Sequence, residues 1–345
     1  MGLALGLVPA LSAAPPAELG WRQYPPLPDH AGFASPFVGV AGDALLLAGG
    51  ANFPDKQLWE GGAKVWHDRV FVLRAGAAQW ELAGRLPAPL AYGVSATTGN
   101  GILCAGGSDA ARHYASVFLL QWREGRLAVQ TLPALPRPIA MGAGARVGNV
   151  IYLAGGLDSP VAKEPLSLFL AFDLRKPEEG WRELPSWPGP GRSQAAAAAV
   201  GDAFYLFSGL RYETGADGAS KAAYLRDAYR YSENVGWERL PDLPYPAVAA
   251  ASPAPVLAGE ILLIGGVDGT GVGKRPQDFH QAPQRIQAYS IKRNSWHERG
   301  NAPVGRACVS TAEWSGRWIL PSGERSAGVR SPEVWAIKAA PPPIP

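Results

Sequence analysis

The sequence predicts an all-β protein, a single six-bladed β-propeller, on three observations. An apolar run ending in a small-Gly doublet occurs six times: LLLAGG to Gly50, ILCAGG to Gly107, IYLAGG to Gly156, FYLFSG to Gly209, ILLIGG to Gly266 and WILPSG to Gly323. Each doublet follows a turn glycine, at Gly42, Gly99, Gly148, Gly201, Gly259 or Gly316, by 8, 8, 8, 8, 7 and 7 residues. Before each turn stands a run of small residues (GFASPFVGV, AYGVSATTG, AMGAGARVG, SQAAAAAVG, AVAAASPAPV, ACVSTAEWS). Alanine alone favours helix, but six small-residue runs that each lead into a hairpin turn describe strands crowded around a propeller axis.

The elements follow in order. Successive doublets lie 57, 49, 53, 57 and 57 residues apart, the period of kelch repeats of four strands each. The small-residue run is the inner strand, and the run ending in the doublet is the second. The third strands are DRVFVL, YASVFLL, LSLFLAF, DAYRY, IQAYSI and EVWAI. A tryptophan leads the fourth strand in five blades, at Trp80, Trp122, Trp181, Trp237 and Trp296. The sixth fourth strand is missing at the C-terminus and is supplied by the N-terminal segment around Trp21, so that the ring closes with no open sheet edge. The propeller is expected over residues 20–339.

Composition agrees. The chain of 345 residues holds 42 glycines and 33 prolines, which demands many turns, and its 47% hydrophobic content suffices for a core, excluding a disordered chain. With 18% charged residues, a net charge of +3 and no block of like charge, nucleic acid is not an expected partner. Cys104 and Cys308 have no second Cys or His at metal-ligand spacing and read as buried thiols away from the upper loops. That placement excludes a copper radical oxidase. Residues 1–14 (MGLALGLVPALSAA) have the length and apolarity of a signal peptide's hydrophobic region, so a periplasmic or secreted protein is expected. No Lys or Arg precedes that stretch, and a cytoplasmic protein with an apolar tail is the alternative. No run is long enough for a membrane span, and residues 340–345 form a Pro-rich tail.

Loops joining second to third strands open on one face, where function is expected. The longest are residues 51–67, 210–225 and 267–284. In the sixth, PSGERSAGVR places Glu324 directly after the doublet and Arg330 six residues later. A carboxylate can take a proton, and a guanidinium offers a planar fork to a carboxylate or a developing oxyanion. A loop-anchoring ion pair is the other reading of the same two residues. Trp59, Glu60, Lys64, Trp66 and His67 combine aromatic and charged groups as sugar sites do. Asn52 heads the same loop. Arg137, Arg192 and Arg306 precede three inner strands and face either the central pocket or a neighbouring blade. Lys274, Arg275, Asp278 and His280 read as a solvated loop, and no His, Asp or Glu group has metal spacing.

The pattern resembles the N-acetylneuraminate mutarotase (epimerase) family of kelch propellers, in its cyclically permuted branch. The resemblance rests on AGGANFPDKQLWEGGAKVWHD (residues 48–68), GPGRSQAAAAAVGDAFYLFSG (189–209), LLIGGVDGTG (262–271) and the Gly-Glu-x(5)-Arg pattern in GERSAGVR. Ser-Gly doublets in blades four and six and different upper loops depart from it. The resemblance implies Glu324 and Arg330 as the catalytic pair of an isomerase that interconverts the α and β anomers of sialic acid or a related sugar, without a cofactor. Asn52, Trp59, Glu60, Lys64, His67, Arg137, Arg192 and Arg306 are the candidate substrate-binding residues. The expected partner is a small, acidic sugar. A non-catalytic exported kelch module that binds carbohydrate or protein is the alternative function.

Overall fold

A computed structural model describes residues 18–214, 220–278 and 281–340. The expected signal-like segment, most of the Pro-rich tail and His280 lie outside the described residues. Six four-stranded antiparallel sheets form the blades. Blade one, for example, runs Phe37–Ala41, Ala44–Ala48, Arg69–Leu73 and Glu81–Arg85 in spatial order. Blade six consists of Ala312–Trp314, Arg317–Pro321, Val334–Ala339 and the N-terminal strand Leu19–Tyr24, with Trp21 opposite Ile337. The two ends of the chain thus close the ring as expected, and no helix among the described residues is long and apolar enough to cross a membrane.

Each blade's two faces are apolar, and the side chains meet those of its neighbours in six interfacial clusters, one between each adjacent pair of blades. Fully buried Phe37, Phe169, Phe204 and Phe207 are among the largest contributors, each contributing roughly 1.5–3 kcal/mol by burial. The recurrent tryptophans also bridge blades. The indole N–H groups of Trp80, Trp237 and Trp296 each donate at 2.9 Å to a proline carbonyl, of Pro25, Pro185 and Pro241, at the exit of the preceding blade's outer strand.

Three local expectations need correction. Trp122 lies within the third strand of blade two, Val117–Arg123, because that hairpin extends to a Glu124-Gly125 turn before the fourth strand, Arg126–Leu132. The inner strand of blade five is reduced to Val256–Leu257, since Pro253 and Pro255 have no N–H to give a ladder. The glycine of a tight hairpin turn is expected at positive φ, and those at 42, 148, 201, 259 and 316 are, but Gly99 is not.

At the head of every inner strand one non-glycine residue takes the left-handed conformation: Ser35, Tyr92, Met141, Gln194, Ala249 and Cys308, with φ between 45° and 64°. Their main chains form a closed ring. Tyr92 N–H donates to Ser35 C=O, Met141 to Tyr92, Gln194 to Met141, Ala249 to Gln194, Cys308 to Ala249, and Ser35 to Cys308, at 2.7–3.0 Å. The left-handed conformation costs about 1–2 kcal/mol per residue, and each hydrogen bond returns roughly 0.5–1.5 kcal/mol. The ring therefore fixes six residues around the upper mouth of the axial channel at little net cost.

Candidate active site

Directly after their doublets, blades one, four and six continue into two-stranded hairpins above the ring: Ala51–Asn52 with Val65–Trp66, Leu210–Thr214 with Ser220–Tyr224, and Glu324–Ser326 with Val329–Arg330. The segment expected as a loop around Glu324 is thus a hairpin in which Glu324 and Arg330 are directly opposed partners. Gly323, at φ 100°, turns the chain from blade to hairpin, and a Cβ there would lie 2.5 Å from Val309. Gly328 makes the hairpin's own bend at φ 80°, where a Cβ would meet Leu58 at 2.9 Å.

The Glu324 carboxylate is held on both oxygens. Oε1 accepts the Gly328 N–H at 3.1 Å and lies 3.0 Å from Arg330 Nη1, while Oε2 accepts the Cys308 thiol at 3.5 Å. Burial, with the Glu324 charge next, pushes that thiol up to about 12, so it remains a proton donor. The Arg330 side chain is 4% exposed, and its guanidinium carbon stands 4.8 Å from the Phe53 ring centre. Its Nε and Nη1 are buried without a well-oriented hydrogen-bond acceptor; the Glu324 contact satisfies the distance of an ion pair but not the angle of a hydrogen bond.

These groups line a cavity of about 450 Å³. Phe53, Leu58 and Lys64 come to it from the blade-one hairpin, Tyr224 from blade four, Val267, Val272 and Lys274 from the blade-five loop, and Glu324 and Arg330 from blade six. All three long loops marked by the sequence converge there. Three of the described lining side chains are basic and one is acidic, a balance that favours an anionic ligand. Lys64 Nζ lies over the rings of Tyr92 and Trp66, at 4.3 and 4.7 Å. Burial and then the Arg330 charge lower its pKa, against opposing influences from Glu324 and Cys308.

The other sequence candidates are distributed differently. Glu60 lines an adjoining recess of about 280 Å³ that shares Phe53, Gly328 and Arg330 with the cavity, and its carboxylate also caps its own turn through Gln57 N–H. Trp59 is 37% exposed on that turn and lines neither space. Asn52 and His67 are not brought into the cavity. Asn52 is fully buried and bonds Gly32 C=O, Asp29 and His67 Nε2, the last at 2.8 Å. Arg192 and Arg306 turn away from the axis into ion pairs with Asp227 and Glu333, since a guanidinium buried between blades needs a carboxylate partner. Arg137 is exposed. Arg275 pairs with Asp278 on the surface as a solvated loop should, whereas Lys274 belongs to the cavity wall.

Sequence reasoning missed Phe53, Tyr92 and Cys308. Cys308 in particular, read as remote from the upper face, lies against the candidate base. A signal was available. In every blade except the fifth, the ring residue precedes the second doublet glycine by 15 residues, and that constant offset marks Ser35, Tyr92, Met141, Gln194 and Cys308.

The chain is similar to known proteins, in a family match that ends before the sixth blade. The profile of a family described as N-acetylneuraminate epimerase matches residues 15–129 and 132–270. The N-acetylneuraminate epimerase of Brucella suis is 35% identical over 133 residues, 36% of this chain and 30% of the relative. That of Yersinia enterocolitica is 37% identical over 130 residues, 33% and 32% of the two chains. That of Pasteurella multocida is 29% identical over 192 residues, 48% and 49%. The matched stretches thus span less than half the length of these relatives. Among solved structures, that of YjhT is similar over 90% of this chain and 95% of its own, with a TM-score of 0.67 at 15% identity, a likeness of fold.

Proposed function

The chain belongs to the N-acetylneuraminate epimerase family, and from that premise we propose that it interconverts the α and β anomers of N-acetylneuraminate or a closely related acidic sugar. The observation that carries the reading is a carboxylate held on both oxygens beside a buried guanidinium with unmet donors, in a cavity whose charge balance is positive. Such a sugar is a cyclic hemiketal. Opening it removes a proton from the anomeric hydroxyl and delivers one to the ring oxygen, after which the ketone turns and recloses on its other face.

Glu324 takes the anomeric proton, at Oε2, because Oε1 is engaged by the Gly328 N–H and Arg330 whereas a thiol is only a weak donor to Oε2. Arg330 receives the substrate carboxylate through the donors that lack an acceptor within the protein. The apolar wall of Phe53, Leu58, Val267 and Val272 covers the sugar's less polar edge. Export is part of the same proposal, on the composition of residues 1–14, and cell fractionation tests it.

NMR of an anomer freshly released by a sialidase tests the activity. Equilibration should be faster with the protein present, and Glu324→Gln should abolish the acceleration while leaving binding. Acceleration that survives the substitution removes Glu324 from the mechanism, and binding without acceleration by the unaltered protein makes it a sugar-binding module. A panel of other sugars in the same measurement defines the substrate.

A further inference from the structure

Ring opening at neutral pH moves two protons, and one carboxylate accounts for only one of them at a time. The second must come from a group that is protonated before the step and able to lose its proton during it. Among the described residues the cavity and the ring beneath it offer six candidates; two of them, Tyr224, whose hydroxyl burial raises, and Lys274, come from blades four and five rather than from the hairpin packed against the Glu324 strand pair. Arg330 keeps its charge under all ordinary conditions. The Cys308 thiol, pushed up to about 12, faces Glu324 Oε2. Tyr92 is 7% exposed beneath Lys64, and burial raises its hydroxyl well above the ordinary value. Lys64 remains.

Its placement is built rather than incidental. Trp66 is fixed by hairpin pairing with Ala51, Tyr92 by the main-chain ring, and the Lys64 ammonium lies over both aromatic faces while lining the same cavity as Glu324 and Arg330. The two rings favour the charged form, so the proton is present at the start. Burial and the Arg330 charge act the other way, and Glu324 and Cys308 partly offset them. Lys274, from the blade-five loop, is the other cation lining the cavity. The result is an ammonium held in place and poised to give up its proton.

Resting on the mutarotation reading, we propose that Lys64 is the second catalytic group, donating its proton to the ring oxygen as Glu324 takes that of the anomeric hydroxyl. The bond between anomeric carbon and ring oxygen breaks, its electron pair stays on the ring oxygen, and the anomeric C–O becomes a ketone. Lys64 is left as the neutral amine and Glu324 as the acid. After rotation the amine recovers the proton from the hydroxyl as it attacks the other face, and Glu324 returns its own proton to the carbonyl oxygen. The step is balanced, needs no co-reactant and restores both groups.

The test measures anomer exchange of N-acetylneuraminate by NMR across pH, with the protein-free rate subtracted, alongside sugar affinity by calorimetry. In the unaltered protein kcat should fall on an alkaline limb below the ordinary lysine range, about 10.4. Lys64→Arg keeps the charge and the stacking but cannot release a proton. It should lower kcat by about 10² to 10⁴-fold, leave KM within about threefold, and remove the alkaline limb. A Lys64→Arg protein with unaltered kcat and an intact limb, while Glu324→Gln is inactive, overturns the assignment and reduces Lys64 to a binding cation. A flat profile of the unaltered protein up to about pH 10 overturns it without any variant. Absence of any acceleration by the unaltered protein is the distinct result that removes the underlying reading, and this inference with it.

Discussion

Arg192 in blade four and Arg330 in blade six are both buried beside a carboxylate, with side-chain exposures of 0% and 4%, yet their hydrogen bonds differ. Arg192 reaches both oxygens of Asp227, at 2.8 and 2.6 Å, and also the carbonyls of Ser208 and Pro190, leaving only Nε without an acceptor. Trp187 and Tyr229 pack around it. Burial alone would raise the Asp227 carboxyl, but the Arg192 hydrogen bonds and charge outweigh it and hold the group below its ordinary value. Arg330 meets Glu324 only at ion-pair distance, through Nη1, and leaves both Nε and Nη1 without a hydrogen-bond acceptor beside a cavity. Similar residue pairs thus serve different ends. In the first pair the donors are nearly all satisfied within the protein and the pair joins strands; in the second the unmet donors stand beside a cavity, where the proposed substrate carboxylate would meet them.

The largest effects should separate the two pairs. Glu324→Gln should reduce the anomer-exchange rate by about 10² to 10⁴-fold and cost less stability than Arg192→Met, because an amide oxygen can still accept the Gly328 N–H and Arg330, left without its carboxylate, borders a cavity. Arg192→Met should do the reverse. It strands the Asp227 carboxylate between blades, a loss of about 3–5 kcal/mol measurable by urea unfolding, while the protein that remains folded exchanges anomers at the unaltered rate. If Glu324→Gln unfolds the protein as Arg192→Met does, or if Arg192→Met slows exchange in fully folded protein, the contrast between the pairs is broken.

The two pairs were not equally legible in the sequence. Glu324 and Arg330 lie six residues apart within one hairpin, so their spacing exposes them. Asp227 is 35 residues from Arg192, and nothing local joins them; Arg192 accordingly read as either a pocket or a pairing residue. The blades themselves were legible because the doublets recur, and even the Ser-Gly departures are accommodated, with Ser208 and Ser322 at φ 56° and 63°. What escaped were features created by closing the ring. Cys308, Tyr92 and Phe53 approach the site from blades six, two and one, and their convergence depends on six left-handed turns at residues that rarely adopt that conformation. Trp122 departs from the pattern for a simpler reason, since a hairpin that pairs over seven residues, out to Arg123 and Arg126, looks like its shorter counterparts until the pairing is seen.

A smaller effect sharpens the description of the proposed catalytic carboxylate. If Oε2 of Glu324 is the working oxygen because only a thiol restrains it, Cys308→Ala should leave the base in place and remove one weak hydrogen bond. With roughly 0.5–1.5 kcal/mol for such a bond, exchange should change by about tenfold or less. A loss as large as that of Glu324→Gln would make the thiol a participant in proton transfer rather than a restraint.

The smallest effect comes from the blade-one hairpin, where the same contrast recurs between Lys64 in the cavity and His67 outside it. His67 Nε2 donates to Asn52 Oδ1 at 2.8 Å, and its Nδ1 accepts from Arg69 Nη2 at 3.3 Å, while Arg69 pairs with Asp29 at 2.5 Å. This arrangement requires the neutral ring. Burial first, and then the Arg69 charge, lower the His67 pKa despite Asp29 and Asp68. Between that lowered value and the ordinary one near 6.5 the unfolded chain binds more protons than the folded one, so stability rises with pH across the window. The contribution is therefore complete above about pH 6.5 and is lost as the pH falls through the folded-state value. Melting temperatures measured from neutral to mildly acidic pH should fall for the unaltered protein and fall less for His67→Gln, whose amide can still donate to Asn52. Parallel declines in the two proteins would show that His67 is not the titrating group, and that the network around Asn52 tolerates a charged ring.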